Sequence, residues 1–147
     1  MNTEDIENLN SILEGEYMAI KSFESLIEHA KDLNSKDELQ KIQQNHKQHA
    51  SQISIKIQNL GGIPSDVIGI QGIVAATISN IKHIGKTDNT SYLKEALQGE
   101  YIGIKTVNEL LALNNNTISS ELLNTIVAED QTNINSLNNL INSFNDV

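Results

Sequence analysis

Leu13-Glu14-Gly15-Glu16-Tyr17-Met18-Ala19-Ile20-Lys21 and Leu97-Gln98-Gly99-Glu100-Tyr101-Ile102-Gly103-Ile104-Lys105 are two versions of one segment, offset by 84 positions. The correspondence continues without a gap. Ser35, Leu39, Ile42, Ile53 and Ile57 fall on Ser119, Leu123, Ile126, Leu137 and Ile141 at the same offset. A register kept over that distance predicts two copies of one structural unit joined by a connector.

Within each copy the apolar residues recur at alternating steps of three and four, the period of a helix that buries one seam. The first seam reads Ile6, Leu9, Leu13, Glu16, Ile20, Phe23, Ile27, Ala30, and the second Leu39, Ile42, His46, His49, Ile53, Ile57, Leu60. The third reads Leu93, Leu97, Glu100, Ile104, Val107, Leu111. The fourth is Leu123, Val127, Asp130, Asn133 or Ile134, Leu137, Ile141, Phe144. These patterns predict α-helices near 3–31, 36–60, 89–114 and 118–145.

The breaks have local causes. Asp32-Leu33-Asn34-Ser35 and Asn114-Asn115-Asn116-Thr117 are tracts whose polar side chains compete for backbone hydrogen bonds, and Ser35 and Thr117 or Ser119 are the expected helix caps. Helix 2 should stop at Gly61-Gly62, and Pro64 prevents it from resuming. The expected fold is all-α: one four-helix-bundle domain over 1–147. Hairpin 1 lies at about 3–60, a long crossover, partly helical after Gly69, at about 61–88, and hairpin 2 at about 89–146. So long a connector allows helix 3 to run parallel to helix 2.

Composition narrows the partners. The 147 residues carry a net charge of −9, a field that repels nucleic acid and anionic membrane surfaces. The acidic start lacks the basic and apolar regions of a signal peptide, and the chain has no Cys, which fits a cytoplasmic protein. The most apolar stretch, Val67 to Ile84, is interrupted by Gln71, Ser79, Asn80 and Lys82, so no membrane-spanning run is expected. In that connector Ile68, Ala75 and Ile78 lie off the Ile70-Val74-Ile81 stripe. Its apolar positions therefore predict either a homodimer through this segment or a crossover helix buried wholly on its own bundle.

Each seam is interrupted by polar residues near its middle. With turns centred near Leu33 and Thr117, Glu16 and Glu100 precede the turns by equal intervals, and His46, His49, Asp130 and Asn133 follow them by matching ones. At 1.5 Å per residue all fall roughly 20–25 Å from the turns and converge on one layer. Burying several carboxylates together is costly, and no Lys or Arg occupies any seam. Carboxylate and imidazole donors suit a divalent cation, and His46-x-x-His49 places two rings one helical turn apart. Metal ligands are therefore expected among Glu16, His46, His49, Glu100, Glu129 and Asp130. Asp130 is favoured over Glu129 as the inward residue because it continues the seam. The alternative is a metal-free hydrogen-bonded layer that specifies register.

Gly15-Glu16 with Ala19 and Phe23, Gly99-Glu100, and His49-Ala50 together resemble the ligand segments of the ferritin-like superfamily, which includes rubrerythrins, bacterioferritins and ferritins. Leu60-Gly61-Gly62-Ile63-Pro64 is similar to the segment that closes helix 2 in an uncharacterised bacterial family of ferritin-like bundles. The resemblance implies a ferritin-like four-helix bundle with oxidase, peroxidase or iron-handling chemistry at a metal site. Full di-iron members present Glu on helices 1 and 3 and Glu-x-x-His on helices 2 and 4. Here His46 stands where the helix-2 Glu is expected, and helix 4 offers Glu129-x-x-Thr132 or Asp130-x-x-Asn133, neither with a His. The expected site is thus a variant mono- or di-metal centre for iron, manganese or zinc. A non-catalytic structural or interaction protein that keeps the bundle is the alternative. Gly15 and Gly99 are expected to mark close helix approach, and Tyr17 and Tyr101 to border the layer.

Overall fold

The computed structural model describes residues 3–66, 90–113 and 119–145. It contains α1 (Thr3–His29), α2 (Leu33–Asn59), α3 (Ser91–Leu113) and α4 (Ser120–Asn145), and no strand among the described residues. The ends of these helices follow from local hydrogen bonding. Glu4 and Asp5 occupy the first turn of α1, where acidic groups favour the helix dipole, and in its last turn His29 Nδ1 lies 2.8 Å from the Ser25 carbonyl.

The sequence placed the cap of α2 at Ser35, and the structure moves it to Asp32. The extended Asp32 accepts the Ser35 N–H on Oδ2 at 2.9 Å, and its carbonyl accepts the Lys36 N–H at 3.1 Å. Leu33, read as part of a polar break, is the first helical residue and is 72% exposed. The helix begins early because a carboxylate at the cap satisfies an N–H that would otherwise face solvent unpaired. Tyr92 O–H donates to Asp32 Oδ1 at 3.3 Å, which ties the start of α3 to the start of α2. The Ser119 carbonyl accepts the Leu123 N–H at 3.0 Å and so opens α4, as one of the two expected caps.

The other end of α2 closes as the Gly-Gly pair predicts. Gly62 N–H donates to the Ile57 carbonyl at 2.9 Å and Gly61 N–H to that of Gln58 at 3.0 Å, a six-to-one and five-to-two pair. Gly61 has φ 85°, and a Cβ on Gly62 would lie 2.8 Å from Ile6 Cγ2, so both positions require glycine. Gly15 and Gly99 behave otherwise. A Cβ at either would meet nothing within 4 Å, so the close helix approach expected at these two positions does not occur there.

Two apolar clusters set the helix directions. One joins Phe23 and Leu26 of α1 and Ala30 just past its end to Leu39 and Ile42 of α2, Tyr92, Leu93 and Ala96 of α3, and Leu137 and Ile141 of α4. The other joins Leu9, Ile12 and Leu13 to Ala50, Ile53 and Ile57, Val107, and Leu123 and Ile126. The C-terminal part of α1 thus lies with the N-terminal parts of α2 and α3, so α3 runs parallel to α2. Each fully buried Leu or Ile contributes about 1.5–3 kcal/mol of apolar transfer free energy. The stripes are wider than the narrow seams, since Ile12, Met18, Leu26, Ala50, Tyr92, Ala96 and Ile126 are also buried. Expectations resting on residues 67–88, including the helical crossover and the Ile68, Ala75 and Ile78 face, lie outside the described residues.

Candidate metal centre

Between the two apolar clusters, Glu16, His46, His49, Glu100, Asp130 and Asn133 are all buried. The α1 and α2 helices are of 27 residues each, about 40 Å long. Residues about 20 Å from the turn therefore sit at mid-height from either end. That is why one layer forms although the two hairpin turns lie at opposite ends of the bundle.

His46 is the centre of the layer. Its Nδ1 lies 2.6 Å from Glu16 Oε2 and its Nε2 2.5 Å from Glu100 Oε1. An ionised carboxylate accepts and does not donate, so two carboxylates on the two ring nitrogens favour the doubly protonated form of His46. Burial lowers its pKa, but the charges of Glu100 and Glu16 outweigh burial and raise it well above the ordinary value. The Phe23 ring packs on the imidazole with centroids 5.5 Å apart.

His49 is fully buried. Its Nδ1 lies 3.5 Å from Glu16 Oε1 and 3.8 Å from Asp130 Oδ1, while its Nε2 faces Glu129 Oε2 at 3.4 Å. Its pKa is also raised, because Glu16 and Asp130 outweigh the cost of burial. Burial works to raise the Glu16 carboxyl, but His46 and His49 beside it prevail and hold it below the usual range. Asp130 goes the other way: burial and the nearby Glu100 push it up to about 8 against the pull of both histidines.

Glu129 stands at the edge, with its side chain 37% exposed. Asn45 Nδ2 donates to Glu129 Oε2 at 2.8 Å, and Asn133 Nδ2 donates to Asn45 Oδ1 at 3.0 Å. The inward residue of α4 is therefore Asp130, as the seam favoured, and Asn133 and Ile134 are both buried. The seam pattern singles out neither Asn45 nor the packing of Phe23 on His46. A signal for Asn45 existed, because it is the 84-residue counterpart of Glu129. Tyr101 is 52% exposed and Tyr17 packs half-buried on the cluster around Leu13.

The donor set suits a divalent ion. Glu16, His46 and His49 bring one ligand atom each within 4.8 Å of one another, and so do His46, Glu100 and Asp130, the two groups sharing His46. His49 Nδ1, Glu100 Oε2 and Asp130 Oδ1 are buried without a hydrogen-bond partner. Such unpaired buried atoms are costly, and coordination is one way to satisfy them.

Four helices in crossover order around a buried carboxylate and imidazole layer define a ferritin-like bundle. Within that class the chain belongs to the family described as Domain of unknown function (DUF2383), which matches residues 4–113. No curated protein matches the chain in sequence. Among solved structures, a two-domain protein of Anabaena variabilis with DJ-1/ThiJ/PfpI-like and ferritin-like domains is similar over 100% of this chain, at 20% identity and a TM-score of 0.79. This chain spans 41% of that protein's length. Ferritin-like, diiron-carboxylate proteins of Bacillus anthracis strain Ames match at 25% identity and a TM-score of 0.70, over 93% of this chain and 94% of theirs. The dodecameric thioferritin of Bacteroides fragilis, a bacterioferritin-related protein, matches at 16% identity and a TM-score of 0.73, over 95% and 84% of the two chains.

Proposed function

We propose that this protein binds a divalent metal in the layer formed by Glu16, His46, His49, Glu100 and Asp130. The observation that carries the reading is the pair of overlapping three-donor groups, with unpaired buried atoms in both. The diiron-carboxylate description of the Bacillus anthracis relative favours iron among iron, manganese and zinc. A bound ion supplies the positive charge that the carboxylates need and, as iron, a one-electron couple. Glu16 and the histidines hold it, and the flanking clusters around Leu13 and Leu93 exclude water from it. Oxidase, peroxidase or iron-handling chemistry depends on that occupancy.

The experiment is thermal unfolding of chelator-treated protein with and without Fe²⁺, Mn²⁺ or Zn²⁺. An ion that binds only the folded chain adds RT ln(1 + [L]/Kd), about 2.7 kcal/mol at a hundredfold excess over Kd. A stabilising shift in wild type that disappears in His49→Ala supports the reading, and no shift with any of the ions refutes it.

One observation favours a second reading. His46 between two carboxylates neutralises much of the layer by itself, so the bundle can stand without metal as a structural or interaction protein. In that case replacing Glu16, His46, Glu100 and Asp130 together with apolar residues of similar volume stabilises the fold. If the layer is a metal site, the same replacement removes the metal-dependent shift.

Assembly is a separate proposal. The Bacteroides fragilis relative is dodecameric, and a homodimer is the simplest assembly for this chain. Light scattering that finds only monomer at high concentration ends that idea.

A further inference from the structure

The layer has a polarity that a symmetric two-metal centre would lack. Both histidines turn the same nitrogen toward the same carboxylate: His46 Nδ1 is 2.6 Å from Glu16 Oε2, and His49 Nδ1 is 3.5 Å from Glu16 Oε1. Both turn the other nitrogen away from Glu16 to a carboxylate of a different helix, His46 Nε2 to the buried Glu100 at 2.5 Å and His49 Nε2 to Glu129 at 3.4 Å. The rings stand edge to face, 88° apart with centroids separated by 5.8 Å, and their Nδ1 atoms converge on the two oxygens of Glu16.

A neutral imidazole offers one lone pair and keeps one N–H. A histidine that coordinates through Nδ1 therefore needs an acceptor for Nε2–H, and a carboxylate in that place fixes the tautomer and raises ligand basicity. Glu100 and Glu129 stand in those two places. Because His46 has only one lone pair to give while its second nitrogen is held by a carboxylate, the two three-donor groups that share it exclude each other.

Resting on the metal-binding reading above, we propose that the layer takes one ion per chain, ligated by Glu16 and the Nδ1 atoms of His46 and His49. Asp130 stands next to this set as a further oxygen donor, its Oδ1 buried, unpaired and 3.8 Å from His49 Nδ1. Glu100 and Glu129 are positioning residues that act through the histidines. Asn45 of α2 holds Glu129 in place and is itself held by Asn133 of α4. The carboxylate-bridged pair of a full di-iron site is not what these side chains are arranged to hold, since an imidazole sits between the carboxylates of α1 and α3.

The test uses the full chain, stripped of metal and titrated with Co²⁺, whose ligand-field absorption reports the donor atoms. The number of ions bound is measured on the same samples by elemental analysis. One ion per chain is expected for wild type, with Glu16→Ala and His49→Ala binding none. Glu100→Gln and Glu129→Gln should still bind one ion, with affinity about 10–100-fold weaker and the nitrogen-donor absorption retained. Helix content by circular dichroism shows that each variant is folded, and Glu16→Gln replaces Glu16→Ala if the latter is not. Two ions per chain in wild type overturn the proposal while leaving metal binding intact, as does loss of the ion in Glu100→Gln with retention in Glu16→Gln. Failure of wild type to bind Co²⁺, Zn²⁺, Mn²⁺ or Fe²⁺ refutes the metal-binding reading itself, and this proposal with it.

Discussion

Asn45 and Glu129 occupy matching positions of the two sequence copies, 84 residues apart, and the fold joins them directly: the Asn45 amide donates to Glu129 Oε2 at 2.8 Å. The same amide accepts from Asn133, so one side chain links the edge of the layer to two positions on α4. Replacing Asn45 with Leu leaves Asn133 Nδ2 without its acceptor and takes from Glu129 the nearer of its two partners, His49 Nε2 remaining at 3.4 Å. The expected cost is about 1–3 kcal/mol of stability, with weaker metal retention. Urea unfolding measures the first part, and an unchanged midpoint would show that the network contributes nothing.

The protonation pattern predicts how the metal-free protein responds to pH. His46 and His49 have raised folded-state pKa values, so what they contribute is complete below about 6.5 and is lost as pH rises through those raised values. Asp130, raised from 3.8 to about 8, acts with the same sign, its contribution declining as pH climbs across that interval. Glu16 is lowered, so its contribution is present above 4.5 and is lost as pH falls through the folded value. Stability in the presence of chelator should therefore decline between pH 6 and 9, and thermal unfolding at steps of one pH unit reads it. A rise over that range contradicts the assignment.

Metal binding should run the opposite way. The ligating nitrogens must lose protons to coordinate, so affinity increases with pH as the free fold weakens. The stabilising shift produced by Zn²⁺ is expected to be larger at pH 8 than at pH 6. An equal shift at both would place the ion on exposed carboxylates instead.

The glycines separate into opposed pairs. Gly15 and Gly99 lie inside helices with open space at the Cβ position, so Gly15→Ala and Gly99→Ala should each stabilise by up to about 1 kcal/mol. Gly61→Ala forces a residue with a Cβ to φ 85°, and Gly62→Ala drives a methyl to within 2.8 Å of Ile6. Both should destabilise, by about 1 kcal/mol or more. Chemical denaturation of the four variants gives the signs.

The bundle was legible because its signal is periodic. A polar residue placed where Leu or Ile should recur stands out, and that marks Glu16, His46, His49, Glu100 and Asp130 in the sequence alone. Asn45 was not found because it lies off the seam beside His46, and its partners are on α4. The start of α2 was misplaced because Leu33 sits in a polar tract, where the Asp32 cap decides the boundary and apolar spacing does not. Which ring nitrogen faces which carboxylate follows from side-chain rotamers, and a one-dimensional pattern does not carry those. The roles of Glu100 and Glu129 as partners of histidine nitrogens emerge only from the distances.

The most direct test of a metal in this layer is anomalous X-ray diffraction from crystals of the full chain grown with Mn²⁺ or Zn²⁺ and measured at the metal's absorption edge. The account predicts an anomalous peak within coordination distance of Glu16, His46 Nδ1 and His49 Nδ1. Anomalous density confined to exposed carboxylates, with His46 still bridging Glu16 and Glu100, would contradict it.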